Sequence, residues 1–137
     1  MKTPADEMHP SYFAVKFRCH GDAATLDWPN FFAIVSAYAT TGQIWTEAEN
    51  QAADQALAET LRTSGRWHRR ITGWLGDHEE PGFAVSMDFE AACDLGLRFR
   101  QDAIYLVQGD RLAVSFCDTR RALVEAGTFR SRLKISG

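Results

Sequence analysis

No apolar stretch in the chain approaches the length of a membrane span, and the first ten residues lack the apolar run of a secretory leader. Cysteine is scarce. Cys19, Cys93 and Cys117 are odd in number and far apart, with no CxxC pair. That pattern argues against a disulfide framework and for reduced thiols in a reducing compartment, so a cytoplasmic protein is expected. No GxGxxG, Walker loop, GxSxG or HExxH motif is present, so no familiar nucleotide, hydrolase or zinc-protease signature carries the function. A large charge of one sign is also missing. At a net charge of −3, no global field draws the chain to nucleic acid or to an anionic membrane.

What is there is an ordinary globular composition. The 137 residues are 45% hydrophobic and 24% charged, the size and make-up of one domain with a core of its own. Residues 1–10, polar and carrying Pro4 and Pro10, read as a loose tail. Bulky residues alternate from Tyr12 to Arg18, as in a strand, and a turn region runs from Cys19 to Asn30. Phe31 to Tyr38 is almost continuously apolar, the mark of a central strand buried on both faces, and Thr40 to Gly42 breaks it. The spacing predicts a helix over Thr46 to Ser64. Thr46 and Glu49 form a capping box, Gly65 suits the left-handed position past the end, and Ala53, Leu57 and Leu61 make the inward stripe.

Further on, Arg70 to Leu75 alternates like a half-buried strand, Gly76 to Pro81 reads as a polar turn, and Phe83 to Met87 as another strand. Asp88 caps a second helix whose inward side is Phe89, Ala92, Cys93, Gly96 and Phe99, with an earlier end at Gly96 as the alternative. Ala103 to Val107 and Leu112 to Phe116 flank Gln108-Gly109-Asp110-Arg111, a β-hairpin whose Gly109 supplies the positive φ of a tight turn. Thr119 to Glu125 reads as a short helix, and Phe129 to Ile135 as an edge strand with a basic face. The expected fold is α+β. It is a two-layer sandwich of a mainly antiparallel sheet with two principal helices on one face, in β-β-α-β-β-α-β-β order, with a ferredoxin-like core embedded in it.

Asp77-His78-Glu79-Glu80 is the most concentrated set of acid–base groups. His78 and Glu80 can share a proton and are the catalytic candidates. A metal needs a third and fourth ligand, and none stands at a recognisable spacing, so neither metal nor cofactor is expected. Asn50 lies two helical turns before Leu57 and is expected to be buried on the inward face, tied to a neighbouring loop such as Thr40 to Gly42 or serving a pocket. Gln101 follows the second helix, and Tyr38 ends the central strand where a phenol can sit at a pocket mouth. Arg66-Trp67-His68-Arg69-Arg70 with Trp74 mixes cations and aromatics as nucleic-acid surfaces do, but also as a helix C-terminus beside an exposed strand does. The segment from Asp118 to Gly137 holds five basic and two acidic residues, so it carries +3 and leaves −6 for the rest.

The run Ala33 to Tyr38, then Glu49-Asn50, Leu57 and Gly73, then His78, Glu80, Pro81 and Phe83, then Leu95-Gly96, Phe99, Gln101 and Ala103, resembles the bacterial family catalogued as domain of unknown function 3293. The resemblance covers about residues 12–116. The family tends to carry Asn-Pro after the second strand, where this chain has Ala39 and Thr40. If that Asn belongs to a site, this chain lacks it. The resemblance implies no activity and draws attention to Asn50, His78, Glu80 and Gln101.

Two readings of function follow. One is a small-ligand-binding or modest enzymatic pocket near the end of the central strand, with His78 and Glu80 as acid–base groups and Tyr38, Asn50 and Gln101 as ligand-binding groups. The other is an interaction module that meets nucleic acid or an acidic protein through the basic faces. Partners stay unnamed: no membrane is expected, nucleic acid is disfavoured by the net charge, and a homodimer is open.

Overall fold

The computed structural model describes residues 3–20, 28–38 and 45–136. In chain order these form α1 (Pro4–Glu7), a 3-10 turn (Pro10–Phe13), β1 (Lys16–His20), β2 (Phe31–Ser36), α2 (Glu47–Ser64), β3 (His68–Leu75) and β4 (His78–Val85). They continue with α3 (Phe89–Arg98), β5 (Ala103–Gln108), β6 (Arg111–Phe116), β7 (Val124–Thr128), α4 (Phe129–Arg132) and β8 (Leu133–Ser136).

Local chemistry accounts for the best-defined elements. Thr46 and Glu49 close both halves of the capping box at the start of α2, and Gly65 ends the helix at φ +73°. Leu57 and Leu61 are its buried residues, each worth about 1.5–3 kcal/mol of burial. Asp88 caps α3 by accepting from the Ala91 N–H. Gly96 does not end α3. It lets the helix approach β5 and the Cys117 thiol, where a Cβ would come within 2.5 Å of Sγ.

The strands form one sheet in the order β7-β6-β5-β2-β4-β3-β1-β8, antiparallel except for the parallel β1–β8 pair. β2 is interior and buried along its centre, as its apolar run predicts. Alternation along it splits the core. Ala33 and Val35 face one side with α2 and α3, while Phe32 and Ile34 face the other. That second side is concave. Phe17 of β1 meets the Tyr105 ring of β5 at 5.2 Å, although β3, β4 and β2 lie between those strands in the sheet. The four residues of α4 alone carry the chain from β7, at one edge, to β8, at the other. The sheet is therefore curled until its edges nearly meet, and it wraps an aromatic core that includes Phe17, Phe32, Tyr105 and Phe129.

This corrects the two-layer picture: α2 and α3 cover the convex face, and the concave face holds a second core closed by the curl. Other expectations shift for local reasons. The tail carries a capped turn of helix at Thr3–Glu7 and buries Met8. His9 and Pro10 start a 3-10 turn where a strand was expected, so β1 begins at Lys16. Residues Thr119 to Glu125 are not helical, and Val124–Thr128 pairs with β6 instead. Phe129–Arg132 is a helical turn, held by the Phe129 and Arg130 N–H groups donating to Asp110. Most of the turn expected from Gly76 to Pro81 is strand.

Candidate functional site

β3 and β4 are joined by a two-residue turn, Gly76-Asp77, with Gly76 at φ +59°. β4 pairs with β2 only from Gly82 onward, because β2 ends at Ser36. The hairpin therefore overhangs the end of β2, and His78 and Glu80 stand in the overhang. Pro81 is tolerated there, since no β2 residue remains for its missing N–H to bond. Strand alternation sends His78, Glu80 and Gly82 to the same side as Ala84, the concave one.

Beneath the overhang, at this open end of the curled sheet, is a cavity of about 120 Å3. Ile34, Ile71, Phe17 and Tyr105 form its apolar floor, Ser11 and Tyr12 of the 3-10 turn line one side, and His78, Glu80, Ser36 and Asp102 supply polar groups. Two glycines keep it open. A Cβ on Gly73 would sit 3.3 Å from Val15 Cγ1, and one on Gly82 would lie 2.6 Å from the Val35 carbonyl oxygen. Gly82 thus lets β4 press against β2 at the lip.

His78 Nε2 lies 3.3 Å from Glu80 Oε1. The His78 side chain is 73% exposed and that of Glu80 34%. Burial pushes the Glu80 carboxyl up from its ordinary value, and the His78 imidazole pulls it partly back. The Tyr12 phenol is pushed up to about 12, first by burial and then by the charges of Asp102 and Glu80. Tyr105 is raised too, chiefly by burial, with Arg132 opposing. A half-buried carboxyl in contact with an exposed imidazole can pass a proton between cavity and solvent.

Gln101 is 8% exposed and is held in the turn that ends α3, where Arg100 adopts φ +60° and the Gln101 N–H donates to the Gly96 carbonyl. Its amide donates to the Tyr38 carbonyl at 2.7 Å and to that of Phe99 at 3.2 Å, and accepts from Ser36 Oγ at 3.1 Å. It lines the cavity while tying the end of β2 to the end of α3. Tyr38 contributes that carbonyl. Its phenol is raised by burial and by Glu47 and Asp54 of α2, on the convex side, and Tyr38 does not line the cavity. Asn50 is half-buried rather than buried, in the first turn of α2, and does not line the cavity either. Its expected tie to Thr40 to Gly42, and the departure at Ala39-Thr40, lie outside the described residues. Sequence reasoning passed over Tyr12, Ser36 and Asp102. Ser36 lies inside the apolar run expected from Phe31 to Tyr38, and no local signal marks any of the three as a site residue.

The basic segments are largely committed internally. Arg70 forms a two-pronged pair with Asp54 at 2.7 and 2.9 Å and stacks on Phe83. Arg18 pairs with Glu79, Arg120 with Glu7 and Asp118, and Arg121 with Glu90 and Asp94. Among the described residues no three His, Cys, Asp or Glu side chains cluster as a metal site would need, and no helix is long and apolar enough to cross a membrane.

Residues 35–104, just over half of the chain, match the family model described as a protein of unknown function, DUF3293. The chain belongs to the DUF3293 family. The matched DUF3293 segment runs from the end of β2 into β5 and contains Gly73, His78, Glu80, Gly82 and Gln101. Tyr12, on the cavity's other side, precedes it. No curated protein and no solved structure matches the chain.

Proposed function

We propose that this protein binds a small ligand in the cavity under the β3–β4 overhang, with His78 and Glu80 as the groups that exchange protons with it. The observation that carries the reading is the meeting of that pair with an apolar floor and a ring of polar groups in one cavity of about 120 Å3. That size is comparable with the roughly 150 Å3 at which a fully apolar protein cavity takes up benzene. The open ends of curled and barrel sheets are common places for such sites. Gln101 acts here as a positioning residue, since its amide hydrogens are spent on backbone carbonyls. The carboxylate partners of Arg18, Arg70, Arg120 and Arg121 favour the cavity over a basic docking face.

The test is a ligand-observed NMR screen of single-ring fragments against the wild type and against Ala103→Leu, which adds bulk at the cavity wall, with Gly73→Ala as a second, smaller block. Fragments that bind the wild type and are lost from both variants support the reading. Absence of hits, or hits indifferent to both substitutions, contradicts it.

A further inference from the structure

The hydrogen-bond inventory of the cavity is one-sided. The Ser36 hydroxyl gives its hydrogen to Gln101 Oε1. Both amide hydrogens of Gln101 go to the Tyr38 and Phe99 carbonyls. The Tyr105 hydroxyl donates to the Tyr12 carbonyl at 2.6 Å. At Ser11 the backbone N–H and the hydroxyl both meet His9 Nδ1, at 3.1 and 2.9 Å. With the N–H donating, Nδ1 is an acceptor, so the hydroxyl donates to it as well. The lining residues that carry formal charge or free lone pairs add acceptor capacity: Ser36 Oγ and the carboxylates of Glu80 and Asp102, beside which the Tyr12 hydroxyl, the Trp74 indole N–H and the His78 imidazole are the donors.

Charge points the same way. No Lys or Arg stands among the described residues lining the cavity. Two guanidiniums that neighbour lining residues are engaged elsewhere. Arg18 is paired with Glu79 and stacked on Trp74, and Arg132 bonds the Val15 and Ala126 carbonyls. Both lining phenols, Tyr12 and Tyr105, feel the Glu80 carboxylate, and Tyr12 feels Asp102 as well. An anion entering here meets like charge and finds few free donors. A cation with several N–H groups meets acceptors of opposite charge.

We propose that the ligand of this cavity is a small amine, a protonated nitrogen head on a short apolar body, with the head between Glu80, Asp102 and Ser36 and the body on Ile34, Ile71 and Tyr105. This rests on the reading of the cavity as a ligand site and goes further by naming the ligand class.

Three single-ring probes of similar size separate the possibilities: benzylamine, benzyl alcohol and benzoate, each titrated into the full chain at neutral pH and followed by calorimetry and amide NMR. Benzylamine should bind tightest, preferred over benzoate by at least about tenfold. Its affinity should fall with added sodium chloride while that of benzyl alcohol stays level. Glu80→Gln, checked for folding by its melting curve, should bring benzylamine down to the level of benzyl alcohol. Equal binding of amine and alcohol to the wild type, or strongest binding of benzoate, overturns the amine assignment and leaves the cavity reading standing. Failure of all three to bind removes both. If Glu80→Gln does not fold, the salt dependence decides: a benzylamine affinity unmoved by salt overturns the assignment.

Discussion

The hairpins β3–β4 and β5–β6 are built on the same turn and serve opposite ends. Each closes on Gly-Asp, with Gly76 at φ +59° and Gly109 at φ +64°. In β5–β6 the concave positions are Tyr105, Val107, Leu112 and Val114, bulky enough to fill the interior of the curl. In β3–β4 the corresponding run is Ile71, Gly73 and the exposed Leu75 on one strand, then His78, Glu80, Gly82 and Ala84 on the other. Glycine replaces bulk and polar groups replace apolar ones just where β2 stops. One hairpin packs shut and the other leaves a hollow with a carboxyl at its lip. The difference lies in side-chain volume and neighbouring strand length, not in turn chemistry.

Five substitutions break or sharpen that contrast, in decreasing order of expected effect. Gly82→Ala should be the most damaging, at about 3 kcal/mol or more by denaturant unfolding, because its Cβ would meet the Val35 carbonyl oxygen at 2.6 Å and backbone has little room to yield. A loss near zero would mean that β2 and β4 are not pressed together at the lip. Gln101→Ala should cost about 2 kcal/mol, since it strands the Tyr38 and Phe99 carbonyls at the site's rear wall. Gly76→Ala and Gly109→Ala should each cost about 1 kcal/mol, and equally. Neither added Cβ meets anything closer than 3.9 Å, so the penalty is conformational alone. Unequal costs would show that the two turns are not equivalent.

The smallest effect is a gain. Burial holds the folded Glu80 carboxyl above its ordinary value, so the folded state binds that proton up to a higher pH than the unfolded chain does. Stability is therefore lost as pH rises from the ordinary carboxylate range through the raised one. Gln cannot ionise, so Glu80→Gln should melt slightly higher than wild type at neutral pH. The advantage should fade to nothing in acid, below the ordinary carboxylate range. A wild type that is the more stable at neutral pH would mean that contact with His78 outweighs burial.

The same contrast explains what could be read from the chain. The α2 capping box and the Gly109 turn are signals carried within a few residues, and both appear where the sequence puts them. Leu75-Gly76-Asp77-His78 repeats the pattern of Gln108-Gly109-Asp110-Arg111, yet the acidic residues after Gly76 read as loop because the strand they belong to overhangs its neighbour. The C-terminal alternation from Phe129 reads as strand, while Asp110, distant in sequence, holds its first turn helical. The periodicity of α2 turns Asn50 inward but does not say how far the sheet extends beneath it, and Asn50 stays half-buried. The curl is the least legible feature, since it exists only in contacts such as Phe17 with Tyr105. With it goes the cavity, whose Tyr12, Ser36 and Asp102 come from separate parts of the chain.

The most direct test of the cavity is a map of amide shifts during titration of the 15N-labelled protein with benzylamine. Shifts confined to the overhang end, at Gly73, His78, Glu80, Gly82 and Ala103, with the Gly109-Asp110 turn unmoved at the opposite end, are the predicted result. Shifts centred on Gly109 to Arg111, or none at any concentration, would contradict it.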